Sequence, residues 1–369
     1  MKTKQIIQNT FLAGALAIVG ISNAFADDST EQKIQELQEQ IDLLASAIED
    51  SSSTSNGWWD KTSVGGYGEL HYNNKEGSND VIDFHRFVLF VNHDYTDKIA
   101  LFTELELEHA LAGEGKEGEV ELEQAFIRFA LKDGYTADAG LFLVPVGLLN
   151  ETHEPDTFFG VERNNVEKYI IPTTWWQAGV RVSKDFGNGL TVDFAVTDGL
   201  ETDNGYIRGG RQKVANAIAN DGAYTLRAVY RGIPGLELGA SLFQQDDLSQ
   251  GASADVEGTL SVFHLNYKKG GFGLKALTGS WDIDTDTEAK EQSGYYIEPS
   301  YTWDTDYGKV GVFYRVADYN YFKSGSDNQE EDTSFGINYY PTDYVVLKAD
   351  ITEDKANNET LSLGVGYQF

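Results

Sequence analysis

The 369-residue chain has no cysteine, one methionine, six prolines and only 28 Lys and Arg against 59 Asp and Glu. Without cysteine there can be no disulfide scaffold, thiolate metal site or thiol nucleophile. At a formal net charge of −31 the chain lacks the clustered cations that phosphate backbones demand, so nucleic acid is excluded as a partner. Beyond the N-terminus no run reaches the ~18 apolar residues of a spanning helix, which leaves a soluble protein or a barrel that crosses a membrane with strands. Abundant instead are Gly (38), Tyr (20) and Phe (20), a composition suited to β-structure.

Residues 1–26 carry Lys2 and Lys4, an apolar run from Phe11 to Ile21, and then Ala24-Phe25-Ala26. This is the pattern of a secretory signal with its cleavage site, so the chain is expected to be exported. Removing it takes away two bases and no acid, leaving a still more acidic protein. Over residues 27–50, Ile34, Leu37, Ile41, Leu44 and Ile48 alternate spacings of three and four among Glu, Gln and Asp. So short a heptad seam is marginal alone and reads as an oligomerisation stalk, and Ile at a with Leu at d favours a dimer in isolation. The alternative is a lone amphipathic helix lying on another surface. Residues 51–61 open with Ser, Thr, Asn and Gly and read as a flexible linker.

From Thr62 onward the pattern has a period of two. The last segment is clearest: Leu361, Leu363, Val365, Tyr367 and Phe369 alternate with Ser362, Gly364, Gly366 and Gln368. Ending such a strand on Phe369 is the usual assembly signal of bacterial outer-membrane barrels. Sixteen candidate strands fit residues 62–369, an even number as closure of a single-chain barrel requires. Seven connections are tight turn sequences, among them Lys132-Asp-Gly134, Gly187-Asn-Gly189 and Lys268-Lys-Gly-Gly271. They alternate with longer, acidic connections, as periplasmic turns alternate with extracellular loops. Trp175-Trp176, Tyr295-Tyr296, Tyr301 with Trp303, and Tyr339-Tyr340 suit aromatic girdles. The predicted fold is all-β: a 16-stranded antiparallel transmembrane β-barrel preceded by a short N-terminal coiled-coil helix. A soluble β-sandwich explains the alternation along each strand but not the alternation of turn lengths.

Alternation also sorts lumen from lipid. With Leu101, Leu105, Leu107, Val120 and Leu122 outward, Glu104, Glu106, Glu108, Glu119, Glu121 and Glu123 form an acidic lumen wall on neighbouring strands. The alternation slips near Gln124, where a bulge would decide the direction of Arg128. The same parity sends Arg181, Arg227, Arg231, Lys275, Arg315 and Lys348 inward as a basic wall. Facing walls of opposite sign would set a transverse field across a wet lumen; the alternative is that these charges pair locally. The longest connection, at about 144–174, is the third extracellular loop. It mixes Phe158, Phe159, Ile170 and Ile171 with acids and bases, which argues against disorder. The expectation is that it folds into the barrel and narrows the pore, with His153, Glu154, Glu162 and Arg163 nearest the opening; the alternative is that it packs on the axis of a trimer or caps the outside.

Gly140-Leu-Phe-Leu-Val-Pro145-Val-Gly147 followed by Phe158-Phe-Gly-Val-Glu-Arg163 resembles the G-x-F-x-x-P-x-G and F-x-x-E-R segments of the phosphate-selective porin O/P family. The resemblance implies an outer-membrane barrel, usually a homotrimer, with the third loop inside the lumen. An N-terminal coiled coil before the barrel resembles the dicarboxylate-channel branch, which sets the stalk's dimer preference aside. Phosphate channels of this family line the lumen with Arg and Lys, whereas here six glutamates intervene, so phosphate specificity does not carry over.

Other motifs carry no chemistry. Gly113, Gly115 and Gly118 match G-x-G-x-x-G but lie in a hairpin loop, not a βαβ unit. Asp282, Asp284, Asp286 and Glu288 begin like a calcium loop, yet Thr287 and Ser293 break the pattern; they read as a solvated loop, or one loosely holding divalent ions between lipopolysaccharide phosphates. No H-E-x-x-H or G-x-S-x-G motif is present, and no cofactor, metal or catalytic residue is expected. The predicted protein is a passive porin for small hydrophilic solutes in the bacterial outer membrane, with lipopolysaccharide and, during biogenesis, the barrel-assembly machinery as partners and the stalk in the periplasm. A channel selective for small organic acids or phosphate-like anions is the alternative. From another class, a barrel enzyme or a sheath for an envelope partner would fit the same fold.

Overall fold

The computed structural model describes residues 57–369 other than 112–114, 116–117, 203, 253–254, 286–287 and 324. The signal segment, the coiled-coil stalk, most of the linker, Gly113 and Asp286 lie outside the described residues. The chain divides into a unit through Lys61 and a second unit, Thr62–Phe369. Of the first, a single 3-10 turn, Trp58–Lys61, is described.

The second unit is one closed antiparallel barrel of sixteen strands, each paired with its neighbours in sequence and β1 with β16. The strands are β1 (Thr62–Lys75), β2 (Val81–Thr96), β3 (Ile99–Glu108), β4 (Val120–Ala130), β5 (Tyr135–Leu143), β6 (Trp176–Asp185), β7 (Leu190–Thr197) and β8 (Ala223–Ile233). They continue with β9 (Leu236–Gln245), β10 (Gly258–Lys269), β11 (Phe272–Ile283), β12 (Glu291–Thr305), β13 (Gly308–Lys323), β14 (Ser326–Thr342), β15 (Val345–Asp354) and β16 (Glu359–Gln368). Closure leaves no unpaired edge, the condition for β-structure in hydrocarbon. Phe369 completes the seam: its N–H and carbonyl bond the carbonyl and N–H of Gly66, and its ring stacks on Phe87 at 5.7 Å.

The two faces follow the alternation. On β16, Leu361, Leu363 and Val365 are about 40% exposed while Ser362 between them is 3% exposed. The outward residues make an apolar band, and Tyr301, Trp303, Tyr307, Tyr344 and Phe186 stand exposed near the tight-turn end, as a girdle requires. Trp175 and Trp176 do not belong to a girdle. Both are buried inside, because Trp175 precedes β6 and packs between loop and wall against Phe243 at 4.8 Å. Tyr296 is likewise buried in the lumen while Tyr295 faces out.

Two local features depart from regular alternation. β3 and β4 shift register between Glu104 and Leu105, which pair with Gln124 and Leu122, so Glu123 is the extra residue of a β-bulge. The shift turns Phe126 and Arg128 inward, and Arg128 meets lumen-facing Asp138 at 2.7 and 2.9 Å. The acidic segment that joins β13 to β14 is not a loop: it continues their ladder as far as Lys323 opposite Ser326. Stacking of Tyr321 on Tyr169 at 4.1 Å and the Tyr319 hydroxyl on Asp332 at 3.1 Å hold this extension over the lumen.

Candidate functional site

The connection between β5 and β6, residues 144–175 (L3), folds into the barrel. Its neck is closed by Asn150, which is fully buried. The side-chain amide donates to the carbonyls of Val144 (2.7 Å) and Trp175 (2.8 Å), while its oxygen accepts from the Trp175 N–H (2.8 Å). Glu167, on a single helical turn, Val166–Tyr169, is equally buried. Its carboxylate accepts from the N–H groups of Leu148 and Leu149 (2.8 and 2.6 Å) and from the Tyr296 hydroxyl (2.7 Å). These bonds satisfy a turn that could not otherwise be buried.

L3 lies against an apolar strip of the inner wall. Val166, Ile170 and Ile171 pack with Val262, Leu277, Trp281 and Tyr296 of β10 to β12, and the connection between β7 and β8 adds Leu200 and Ile207. Burying side chains of this size contributes roughly 1.5–3 kcal/mol each. At several points where L3 meets the wall the inward residue is a glycine: a Cβ on Gly366 would come 2.4 Å from Pro155, and one on Gly311 2.8 Å from the Phe159 ring. Gly147, at φ +74°, admits Ile171 and Glu167 in the same way.

Five of the six bases expected on the lumen wall hold L3. Lys275 donates to the carbonyl of Thr157 (2.9 Å), Arg315 to that of Phe159 (2.7 Å), and Lys348 to those of Phe158 and Gly160 (3.1 and 2.7 Å). Arg315 also pairs with Glu298 at 2.6 Å. Arg181 and Arg227 both grip Glu151 of L3, while keeping Asp138 and Asp193 as their wall partners at 2.7 Å each. Arg231 stands apart, more than half exposed beside Glu237 next to a tight turn. These bases therefore pair locally with acids and with L3 carbonyls.

The acidic wall is unequal. Glu104, Glu106, Glu121 and Glu123 are buried, Glu108 is half-buried, and Glu119 is exposed at the mouth of β4. Lys213, from the β7–β8 connection, bonds both Glu119 and Glu121. Arg86, which the sequence reading did not single out, is 1% exposed among these acids, 2.7 Å from Glu69 and 3.5 Å from Glu106. Its inward parity on β2 was the available signal. Arg208 and Arg211 were also missed; they donate to carbonyls of Lys168, Thr173 and Thr174 and so cover the return limb of L3.

Of the four residues expected at the opening, Glu162 is the most exposed; it bonds His71 (2.9 Å) and Asn73 (3.0 Å) of β1. Arg163 is partly exposed and Glu154 half-buried, whereas His153 is buried against β3 and β4. Burial disfavours the charged form of Glu151, but Arg227 and Arg181 outweigh it and hold the carboxyl down at about 2. Burial, reinforced by Arg163 and Arg86, pushes the His153 imidazole down to about 4, so it is neutral at pH 7. Burial and then Arg211 push Arg208 down to about 9. Below the L3 tip, a cavity of about 440 Å³ opens towards the tight turns and is lined by Asp156, Phe158, Lys268, Lys269, Lys275 and Lys309 among others.

An anion-selective porin from Comamonas acidovorans superposes with a TM-score of 0.59 at 11% identity, over 84% of this chain and 99% of that one. The chain has the porin fold. A loop-L8 deletion mutant of OmpT from Vibrio cholerae (TM-score 0.58, 12% identity, 84% and 99% covered) and Salmonella typhi OmpF in complex with daunomycin (0.58, 12%, 84% and 97%) share it. In sequence, an uncharacterized protein of Aquifex aeolicus (strain VF5) is 27% identical over 354 residues, 83% of this chain and 80% of that protein. No protein-family model matches. The segment likeness to the phosphate-selective porins thus stays a resemblance, while the solved structures are similar through the barrel itself.

Proposed function

We propose that the chain is a bacterial outer-membrane porin that passes small hydrophilic or charged solutes passively, as a homotrimer, through a lumen narrowed by L3. The observation that carries this reading is an internal loop closed at its neck by Asn150 and anchored to the wall by Glu151, Glu167 and the bases facing residues 157–160. A loop so heavily bonded keeps a fixed cross-section, and a fixed cross-section lined by charge is what sieves solutes. Glu162, Arg163 and Glu154 border the opening. The protein performs no chemistry.

A second reading, a channel selective for small organic acids or phosphate-like anions, is favoured by two observations. The cavity beneath L3 carries Lys268, Lys269 and Lys309, and the similar Comamonas protein is anion-selective. Reconstitution in planar bilayers across a salt gradient separates the two. Current steps in threes with a weak cation preference support the general porin; anion preference saturable by one acid supports the selective channel. Absence of conductance in folded protein would overturn both, leaving the sheath reading.

A further inference from the structure

Where the first limb of L3 meets the wall, three buried side chains from separate elements converge. They are Glu104 on β3, Glu123 at the β4 bulge and His153 on L3, respectively 2%, 0% and 3% exposed. The imidazole Nε2 lies 3.7 Å from a Glu104 oxygen and 3.4 Å from a Glu123 oxygen, and the three candidate donor atoms all fall within 4.8 Å of one another. Among the described residues His153 Nε2 has no hydrogen-bond partner, and the polar neighbour of Glu123 is another buried acid, Glu106. A buried carboxylate without a cation beside it is costly, and the guanidinium of Arg86 is already shared between Glu69 and Glu106.

The surroundings pose these groups as ligands. The Gln124 amide donates to the other Glu104 oxygen at 2.7 Å, which turns the first towards His153. His153 Nδ1 faces the Asn150 carbonyl at 3.3 Å, the arrangement in which Nδ1–H donates and Nε2 keeps its lone pair. Bulges commonly re-aim a side chain, as here for Glu123. In a tetrahedral zinc site, metal–ligand bonds of ~2.1 Å place ligand atoms ~3.4 Å apart. One imidazole and two carboxylates suit zinc better than calcium, which takes six to eight oxygens.

We propose that Glu104, Glu123 and His153 bind one zinc-class divalent cation that ties L3 to the β3–β4 wall. Sequence spacing could not reveal this site, because its ligands come from three elements and the bulge sets one of them. The less buried trio Asp83, His85 and His109 is a poorer candidate, since both imidazoles already bond the one carboxylate at 3.2 and 2.9 Å.

The test uses untagged, folded full-length chain in detergent, loaded with excess Zn²⁺, desalted and assayed for metal by mass spectrometry. One zinc per chain is expected, lost in Glu123→Gln and in His153→Gln and kept in Asp83→Asn. Zinc retained equally by Glu123→Gln and His153→Gln, zinc lost in Asp83→Asn, or no zinc on the wild type would overturn the proposal. Should the variants not fold, as judged by heat-modifiable migration, Co²⁺ on the wild type decides. An intense visible band of distorted tetrahedral cobalt is expected, and a weak octahedral spectrum overturns the assignment.

Discussion

Replacing Asn150 by Leu keeps the branched shape of the side chain and removes the three side-chain hydrogen bonds at the neck of L3. The Val144 carbonyl still accepts from the Val146 N–H and the Trp175 carbonyl still accepts from the Val144 N–H, so each loses one of two partners. The Trp175 N–H loses its acceptor, and no water reaches a fully buried neck. An orphaned buried donor costs ~1–3 kcal/mol and each lost hydrogen bond ~0.5–1.5 kcal/mol, giving about 2–6 kcal/mol against the closed neck. At ~1.4 kcal/mol per tenfold, the population with an opened neck rises by roughly 30-fold to 10⁴-fold. Single-channel recordings should show the open level broadening into flicker between a smaller and a larger conductance, and protease should nick residues 151–166. An Asn150→Leu channel as quiet and protease-resistant as the wild type would refute the reasoning.

Glu151→Gln leaves Arg181 with Asp138 and Arg227 with Asp193 but removes a negative charge facing the lumen. At ~7 Å in water a unit charge is worth ~0.6 kcal/mol, so the anion gains and the cation loses about two- to three-fold each and the anion-to-cation permeability ratio should rise about seven-fold in reversal potentials; a fall would contradict the placement. Gly366→Val drives a side chain into Pro155, and overpacking of this kind costs ~1–3 kcal/mol. The variant should unfold at lower temperature and conduct more as L3 is pushed off the wall; an unchanged melting temperature would show the contact to be loose. The carboxyl of Glu151 sits at about 2, below the ordinary glutamate value of ~4.3. A depressed carboxyl stabilises above the unfolded value and loses that contribution only as pH falls towards the folded one. Protease protection of L3 should therefore persist at pH 4, and loss of protection near pH 5 would rule out this anchor.

Much of the barrel was legible because a strand in lipid has an obligatory outward set. Leu361, Leu363 and Val365 declare β16, and slippage of the pattern near Gln124 marked the bulge at Glu123. The lumen was harder. Along β10 to β13 the inward residues Val262, Leu277, Tyr296 and Phe313 are as apolar as their outward neighbours, because L3 covers them. Alternation cannot tell lipid from a covering loop, which is also why Trp175-Trp176 read as a girdle. Parity sent Lys348 and Arg315 inward, but their partners are carbonyls of residues 158–160, some 155 to 190 positions away. No pattern along the chain encodes a backbone acceptor at that separation. The extension of β13 and β14 was hidden for a related reason: its acidic composition reads as loop, and contacts to Tyr169 hold it.

The most direct test of the account is single-channel conductance of the wild type beside a deletion of residues 152–166. Removal of the L3 tip should leave a folded barrel with a distinctly larger conductance and weaker charge selectivity. A folded deletion channel with unchanged conductance would mean that L3 does not set the pore.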